Sequence, residues 1–297
     1  RSCTHAAGPY NYQNNDIEGM AVYTNNPPAG AFRGFGVTQS AFAIECCITK
    51  LAEMAGMTPW EIRYKNAIRP GQVLPNGQLA DEGTAMAETL EAVREAYENS
   101  RYAGLACAMK NAGLGVGVPD TGRCNVVYRE GKVHLLSSAA CIGQGLASVL
   151  TQVFCETTGL PKDQVIVAPP DTKYTPDSGT TTASRQTAIT GEACRRASLE
   201  FKKEMNEKGL SALEGKLFTG EFVPETDPMG SDKPNPVSHV SYGYATQLVI
   251  LKETGEIERV IAAHDVGRAV NPPALEGQVE GGVTMSLGYA LTDNFPL

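Results

Sequence analysis

From residue 38 to 55 apolar side chains recur at helical spacing, with Ala41, Ile44, Ile48, Leu51, Ala52 and Ala55 on one side. The pattern predicts an amphipathic helix, closed by Gly56 at the position after its C-cap. Thr58-Pro59-Trp60-Glu61 then reads as a capping box with proline in the first turn, opening a short helix to about Ala67. A further helix is predicted over about residues 83–99. Ahead of these, residues 1–30 are polar and rich in Pro, Gly and Asn, with one candidate strand at residues 20–24.

The texture changes near residue 104. Period-two alternation predicts strands at 106–112, 124–129 and 132–137, the last two forming a hairpin about Glu130-Gly131. Residues 146–157 read as a helix ended by Gly159, 165–168 as a short strand, and 185–206 as a long helix. Residues 208–238 carry prolines and no clear period, so they are predicted to be an irregular excursion. A second hairpin is predicted from 242–251 and 257–264, and a closing helix over 275–289. Hairpins mixed with long helices predict an α+β protein of two mixed α/β domains, 1–103 and 104–297, and not a wholly parallel sheet. No fixed-period repeat is present.

Composition narrows the function classes. The chain has 297 residues, 42% hydrophobic and 20% charged, with a formal net charge of -8. These are the values of a globular protein. No Lys/Arg block occurs, which argues against nucleic acid or an anionic membrane as the main partner. No apolar run reaches bilayer length. Eight scattered cysteines lack any C-x-x-C, and most sit in apolar runs. They are read as buried free thiols of a cytoplasmic protein. The four histidines show no zinc-ligand spacing.

Candidate chemistry lies where glycine lets backbone approach a ligand. Four places qualify: Phe32-Arg33-Gly34-Phe35-Gly36, Gly143-Gln144-Gly145, "DSGTTTASRQT" at 177–187, and "GQVEGG" at 277–282. Each is read as adjoining a helix N-terminus, whose free N–H groups and dipole favour an anion. An ordinary loop-to-helix junction is the bland alternative for any one of them. "GLSALEGK" at 209–216 imitates a phosphate-binding loop but has five residues between its glycines, and Leu217 follows the lysine. No G-x-S-x-G or G-x-G-x-x-G nucleotide motif occurs. Asp120 and Asp171 are read as solvated loop carboxylates, and His264-Asp265 as a structural strand end.

"GAFRGFGVTQSAFAIE", "IGQGL", "TTTASRQTAITGEA" and "GQVEGG" occur in that order. "GPYNYQNN", "LPNGQ" and "DVGRAVNP" fit among them. Together they resemble the molybdopterin-binding subunit of the xanthine dehydrogenase / aldehyde oxidase family, the molybdenum hydroxylases, with a bacterial xanthine dehydrogenase-like flavour. The resemblance implies the end of a first cofactor-binding domain and much of a second, both incomplete. It implies a molybdenum cofactor, as molybdopterin or its cytosine dinucleotide, whose metal takes no side-chain ligand from this chain. It places Arg33, Gly34, Gln144, Ala183, Ser184 and Gln278 at the cofactor. Phe35, Val116, Gly117 and Arg1 fall at the substrate, with Phe35 packing on its ring. The implied partners are Fe–S and FAD subunits or domains, the remainder of the molybdenum subunit, and a small-molecule substrate.

Two departures qualify this. The acidic residue often found two before G-Q-G is Cys141 here. The catalytic glutamate of a Gly-Glu-Pro motif is expected beyond Leu297, so no catalytic base is assigned within the chain. Either a split subunit completed by its partners or a folded, non-catalytic fragment accords with that, and an unrelated phosphate-ligand-binding protein is a third reading.

Overall fold

A computed structural model describes every residue except Arg1, Gln13, Ala29, Ala183 and residues 295–297. The elements are α1 (Ser2–His5), α2 (Val37–Ala55), α3 (Pro59–Asn66), α4 (Met86–Glu98), β1 (Ala103–Ala112), β2 (Gly122–Arg129), β3 (Lys132–Leu136), α5 (Leu146–Thr158), β4 (Val165–Val167), α6 (Ile189–Lys208), β5 (Leu217–Phe222), β6 (Ser241–Leu251), β7 (Ile257–Asp265) and α7 (Pro272–Leu291). The α+β class expected from the pattern is what the chain adopts: β3 and β4 pair in parallel, whereas β2 pairs antiparallel with β3 and β5, and β6 with β7.

The chain forms two compact units, each assembled from separated stretches. One comprises Arg1–Asn111 with Thr226–Gly267, the other Ala112–Glu225 with Arg268–Pro296. Residues 104–111 and 226–267 therefore pack with the stretch that precedes residue 104. The reason is sheet pairing: β1 lies beside β6, so residues 226–267 join the stretch that precedes them by more than a hundred positions.

In the first unit the sheet order is β1-β6-β7, with α4 laid on β6 and β7. Leu105, Cys107 and Met109 alternate inward along β1 and meet Leu248, Tyr244, Leu90, Met86 and Trp60 in one apolar cluster. The helix predicted from residue 38 begins at Val37 and is closed by Gly56 at φ 66°. The Thr58 capping box forms as expected, with Glu61 N donating to Thr58 Oγ1 at 3.1 Å and Thr58 N donating to Glu61 Oε2 at 2.7 Å. Residues 20–24 are not a strand: they lie exposed in irregular backbone with no ladder partner.

This unit also buries an ion pair. Arg63 Nε donates to Glu45 Oε2 at 2.7 Å, with the two side chains 0% and 8% exposed. Arg63 also donates to the carbonyls of Glu45 and Pro59 and to Thr49 Oγ1. Tyr10 OH and Cys107 N donate to the same carboxylate. Glu45 ends the "AFAIE" segment, and its charge is fully engaged in holding α2, α3 and β1 together.

In the second unit the order is β4-β3-β2-β5. The Glu130-Gly131 hairpin forms as predicted, with Arg129 opposite Lys132. β5 corrects the reading of 208–238 as wholly irregular. It pairs antiparallel with β2, placing Gly220 opposite Cys124. Its alternation is hidden in the sequence because its two inward positions are Phe218 and a glycine. Gly220 is required by packing: a Cβ there would sit 2.0 Å from Ala193 O on α6. α5 packs against α6, and Phe154, Phe201 and Phe218 join edge to face in the core.

Two further expectations change. α6 begins at Ile189, so Arg185 precedes it and is buried. α7 begins at Pro272, because Asn271 accepts from Ala274 N at 3.2 Å and proline suits the first turn. "GQVEGG" consequently lies inside the helix and not at its start. All eight cysteines are free, but only Cys107, Cys124 and Cys194 are buried, while Cys46, Cys47 and Cys141 are exposed. Cys46 and Cys47 follow each other on α2, whose buried stripe passes through Glu45 and Ile48 instead.

Candidate functional site

Among the described residues four non-glycine positions have positive φ: Phe35 (48°), Val116 (51°), Glu130 (52°) and Ser184 (51°). Glu130 is the hairpin tip, where a left-handed residue is the ordinary turn solution. The other three are all residues singled out by the sequence motifs. Left-handed backbone costs a non-glycine residue about 1–3 kcal/mol and collects at ligand-binding loops. Val116, being β-branched, is the strongest outlier.

Phe35 and Val116 sit in matching turns. Gly34, Phe35 and Gly36 have φ of 92°, 48° and 90°; Gly115, Val116 and Gly117 have 63°, 51° and 76°. Val37 N donates to Gly34 O at 3.1 Å in one, and Val118 N to Gly115 O at 3.0 Å in the other. The segments read G-F-G-V and G-V-G-V. In the first unit this turn leads directly into α2 and leaves Phe35 47% exposed, with Arg33 also exposed. An aromatic face is thus presented outward on backbone pinned by two glycines and a helix start.

In the second unit a continuous polar network joins three of the motif loops. Arg185 and Asp120 are each 1% exposed and paired at 2.5 Å through Nε and Oδ1. Asp120 Oδ2 accepts from Leu114 N at 2.7 Å, beside the Val116 turn. Arg185 also donates to the carbonyls of Thr121 (2.6 Å), Ser178 (2.6 Å) and Thr180 (3.1 Å). Gln186 Nε2 donates to Thr181 Oγ1 at 2.9 Å, and Ala140 N donates to the same hydroxyl at 2.9 Å. Ala140 O in turn accepts from Gln144 Nε2 at 3.0 Å. The turn at 115–118, the loop at 178–186 and the Gln144 loop are therefore tied by consecutive bonds.

Asp120 is accordingly not the solvated loop carboxylate expected from sequence. Its signal is present but indirect: a lone acid in "VPDTG" and a lone arginine in "SRQT", separated by 65 positions. Nothing in either stretch indicates that they meet.

The Gln144 loop has a second property. Gln144 Oε1 accepts from Ile142 N at 2.6 Å, so its amide shapes its own loop and keeps one N–H and one lone pair. Nearby, the backbone N–H groups of Gly143 and Leu146, and then those of Gly145 and Ala147, favour the thiolate of the exposed Cys141 and hold its thiol below the ordinary range. Leu146, Ala147 and the N-cap Gly145 belong to the start of α5, whose dipole acts in the same sense. Alkylation of Cys141 is expected to show a pH midpoint below the usual thiol value, and Cys141→Ser should remove that fast phase. Cys107 is the contrast: burial first, then the Glu45 charge, push it up to about 12. A midpoint for Cys141 at or above the ordinary thiol value contradicts the amide arrangement.

Ser184 is exposed in the loop held by Arg185. Gln278 is exposed on α7, one turn past Ala274, the residue a Cβ on Gly145 would approach at 3.9 Å. Val116, Gly117, Gln144, Ser184 and Gln278 thus share the second unit, whereas Arg33, Gly34 and Phe35 belong to the first. Arg1 and Ala183 lie outside the described residues. Among the described residues no three His, Cys, Asp or Glu side chains gather as a metal site. No helix among them is long and apolar enough to cross a membrane.

Comparison with known families decides what these loops belong to. Residues 1–67 match one family described as "Molybdopterin cofactor-binding domain", and residues 80–227 and 212–297 match a second of the same description. The chain belongs to the molybdopterin-binding molybdenum hydroxylase family. It is 30% identical to a probable xanthine dehydrogenase subunit of Bacillus subtilis, over 98% of this chain and 45% of that protein. The aldehyde oxidoreductase structure from Desulfovibrio gigas superposes with a TM-score of 0.73 and 27% identity, over 89% of this chain and 32% of that one. The quinoline 2-oxidoreductase of Pseudomonas putida 86 shares the fold, with a TM-score of 0.74 at 23% identity, over 97% of this chain and 44% of that one. The chain therefore spans less than half the length of these relatives.

Proposed function

We propose that this chain is part of a molybdenum hydroxylase that inserts water-derived oxygen into a purine, another N-heterocycle or an aldehyde. The observation that carries the reading is the bonded network that ties the Gln144 loop, the 178–186 loop and the strained Val116 turn together, in a chain matched along most of its length by molybdopterin cofactor-binding domains. A molybdenum cofactor bound there would supply two-electron redox chemistry at an electron-poor carbon.

The chain's own residues have positional roles in this reading. The amides of 143–147 and the start of α5 offset negative charge on the pterin side. Gln144 and Gln278 add directional side-chain hydrogen bonds, and Arg33 a fixed positive charge. Gly34 and Ser184 bring backbone close to the cofactor. Phe35 offers an aromatic face to a flat substrate, which favours offset or edge packing. Val116 and Gly117 form part of the substrate wall. Residues 1–103 and 104–297 are the end of the first and the larger part of the second cofactor-binding domain. The glutamate base comes from sequence outside this chain, and electrons leave through Fe–S and FAD partners in the cytoplasm.

The test is to purify the full subunit with its partners from molybdate-replete cells. Molybdenum and pterin are expected near one per subunit, with isotope from labelled water appearing in a hydroxylated heterocycle or carboxylate product. A complex free of molybdenum under those conditions contradicts the reading.

A further inference from the structure

We propose that Asp120 and Arg185 form a positioning pair that sets the turn at 115–118 against the loop at 178–186, so that cofactor-side and substrate-side contacts hold one mutual register. The inference rests on the proposed function for what those loops touch, but the coupling itself is a property of this chain. It goes beyond that function because neither residue belongs to the contacts assigned there.

Three observations carry it. First, the pair is buried and makes no use of solvent: each side chain is 1% exposed. A buried charge pair of this sort adds little net stability over well-packed apolar residues, so its value lies in the geometry it dictates. Second, every bond it makes goes to a loop or to the entry of β2. Asp120 takes Leu114 N at 2.7 Å, two residues ahead of the strained Val116, while Arg185 takes the carbonyls of Ser178 and Thr180 on the far loop and of Thr121 beside Asp120. The planar guanidinium fork fixes those acceptors relative to one another as a flexible ammonium could not. Third, the loop is shaped to close over this fork. Gly179, at φ 71°, would place a Cβ 3.3 Å from Arg185 Nη1, Nη2 and Thr121 O, so a side chain there is both strained in its backbone and crowded against the fork.

Both strained residues of this unit's motif loops, Val116 and Ser184, are thereby held through one ion pair. Ser184 directly precedes Arg185, and Val116 lies two residues after the amide that Asp120 accepts. A shift at either loop is transmitted to the other, because the carboxylate bonds the guanidinium and the Leu114 amide at once.

Hydrogen exchange on the full chain, followed by mass spectrometry, tests the coupling without cofactor. Arg185→Met removes contacts to 178–186 directly. It is also expected to speed exchange at 113–118 by about tenfold or more, through loss of the charge-assisted bond network. Asp120→Asn should speed exchange in both segments. Phe218→Leu, which loosens the apolar core without touching either loop, is the control. In the intact complex, Asp120→Asn is expected to lower molybdenum per subunit by about tenfold and to alter the visible circular dichroism per bound molybdenum, whereas the core control changes neither. The proposal is overturned if Arg185→Met leaves 113–118 unaffected, or if the loops couple yet occupancy and spectrum match the core control. A wild-type complex without molybdenum overturns the proposed function and this assignment with it, while the exchange result still reports on the coupling.

Discussion

Replacing Gly220 by alanine is expected to destabilise the second unit by about 3 kcal/mol or more, near the upper end for overpacking. An ideal Cβ on Gly220 lies 2.0 Å from Ala193 O, 2.8 Å from Ala197 N and 3.0 Å from Ala193 C. All three are backbone atoms of α6, so no rotamer change relieves the clash. The helix must lift from the sheet, which parts Phe201 on α6 from Phe218 on β5, rings now 5.3 Å apart. Gly122 reports the same close approach, with a Cβ there 2.6 Å from Ile189 O. Urea denaturation of the two proteins measures the difference. Gly104→Ala is the reference, because a Cβ at Gly104 meets nothing within 4 Å and should change stability by no more than about 0.5 kcal/mol. Equal midpoints for Gly220→Ala and wild type would show that α6 does not sit on β5 as described.

Arg63→Met is expected to cost the first unit about 3–5 kcal/mol, because it strands the Glu45 carboxylate away from water. The guanidinium is 0% exposed and bonds Glu45 at 2.7 Å, while the remaining donors to that carboxylate, Tyr10 OH and Cys107 N, are neutral. Removing both charges together tells a different story. Glu45→Gln/Arg63→Met keeps an acceptor for Tyr10 and Cys107, and its loss should fall well below the sum of the single losses, since no uncompensated charge remains. Additive costs in that cycle, or a cost under about 1 kcal/mol for Arg63→Met alone, would sink the account.

Local elements are readable wherever local physics suffices. α3 is signalled by Thr58, Pro59 and Glu61 within one turn, and the capping box forms as written. The Glu130-Gly131 turn and the β6–β7 hairpin follow from alternation beside short turns. Periodicity fails where an inward position is filled by close approach and not by bulk. β5 alternates only between Phe218 and Gly220, so a buried strand looks like loop. The start of α7 escapes the pattern because Pro272 and Pro273 read as breakers, whereas Asn271 caps the helix ahead of them.

The candidate site divides in the same way. The glycine-bearing loops, their order, and the family they resemble are properties of contiguous letters, and all are legible there. The helix starts after Gly36 and Gly145 are visible too, since glycine followed by an apolar period is a local signal. What the letters do not disclose is which residues hold the loops. Asp120 and Arg185 are 65 positions apart, and an ion pair carries no periodicity. Their meeting depends on β2, β5 and α6 packing tightly enough to exclude water, and that is decided by the tertiary arrangement alone. The same holds for β1 beside β6 and for Glu45 beneath Arg63. Sequence by itself determined the elements, the loop chemistry and the family resemblance, because each rests on neighbours within a turn or a strand. Only the folded chain decided which charges are buried and which loops move together, because desolvation and register arise between segments that are distant along the chain.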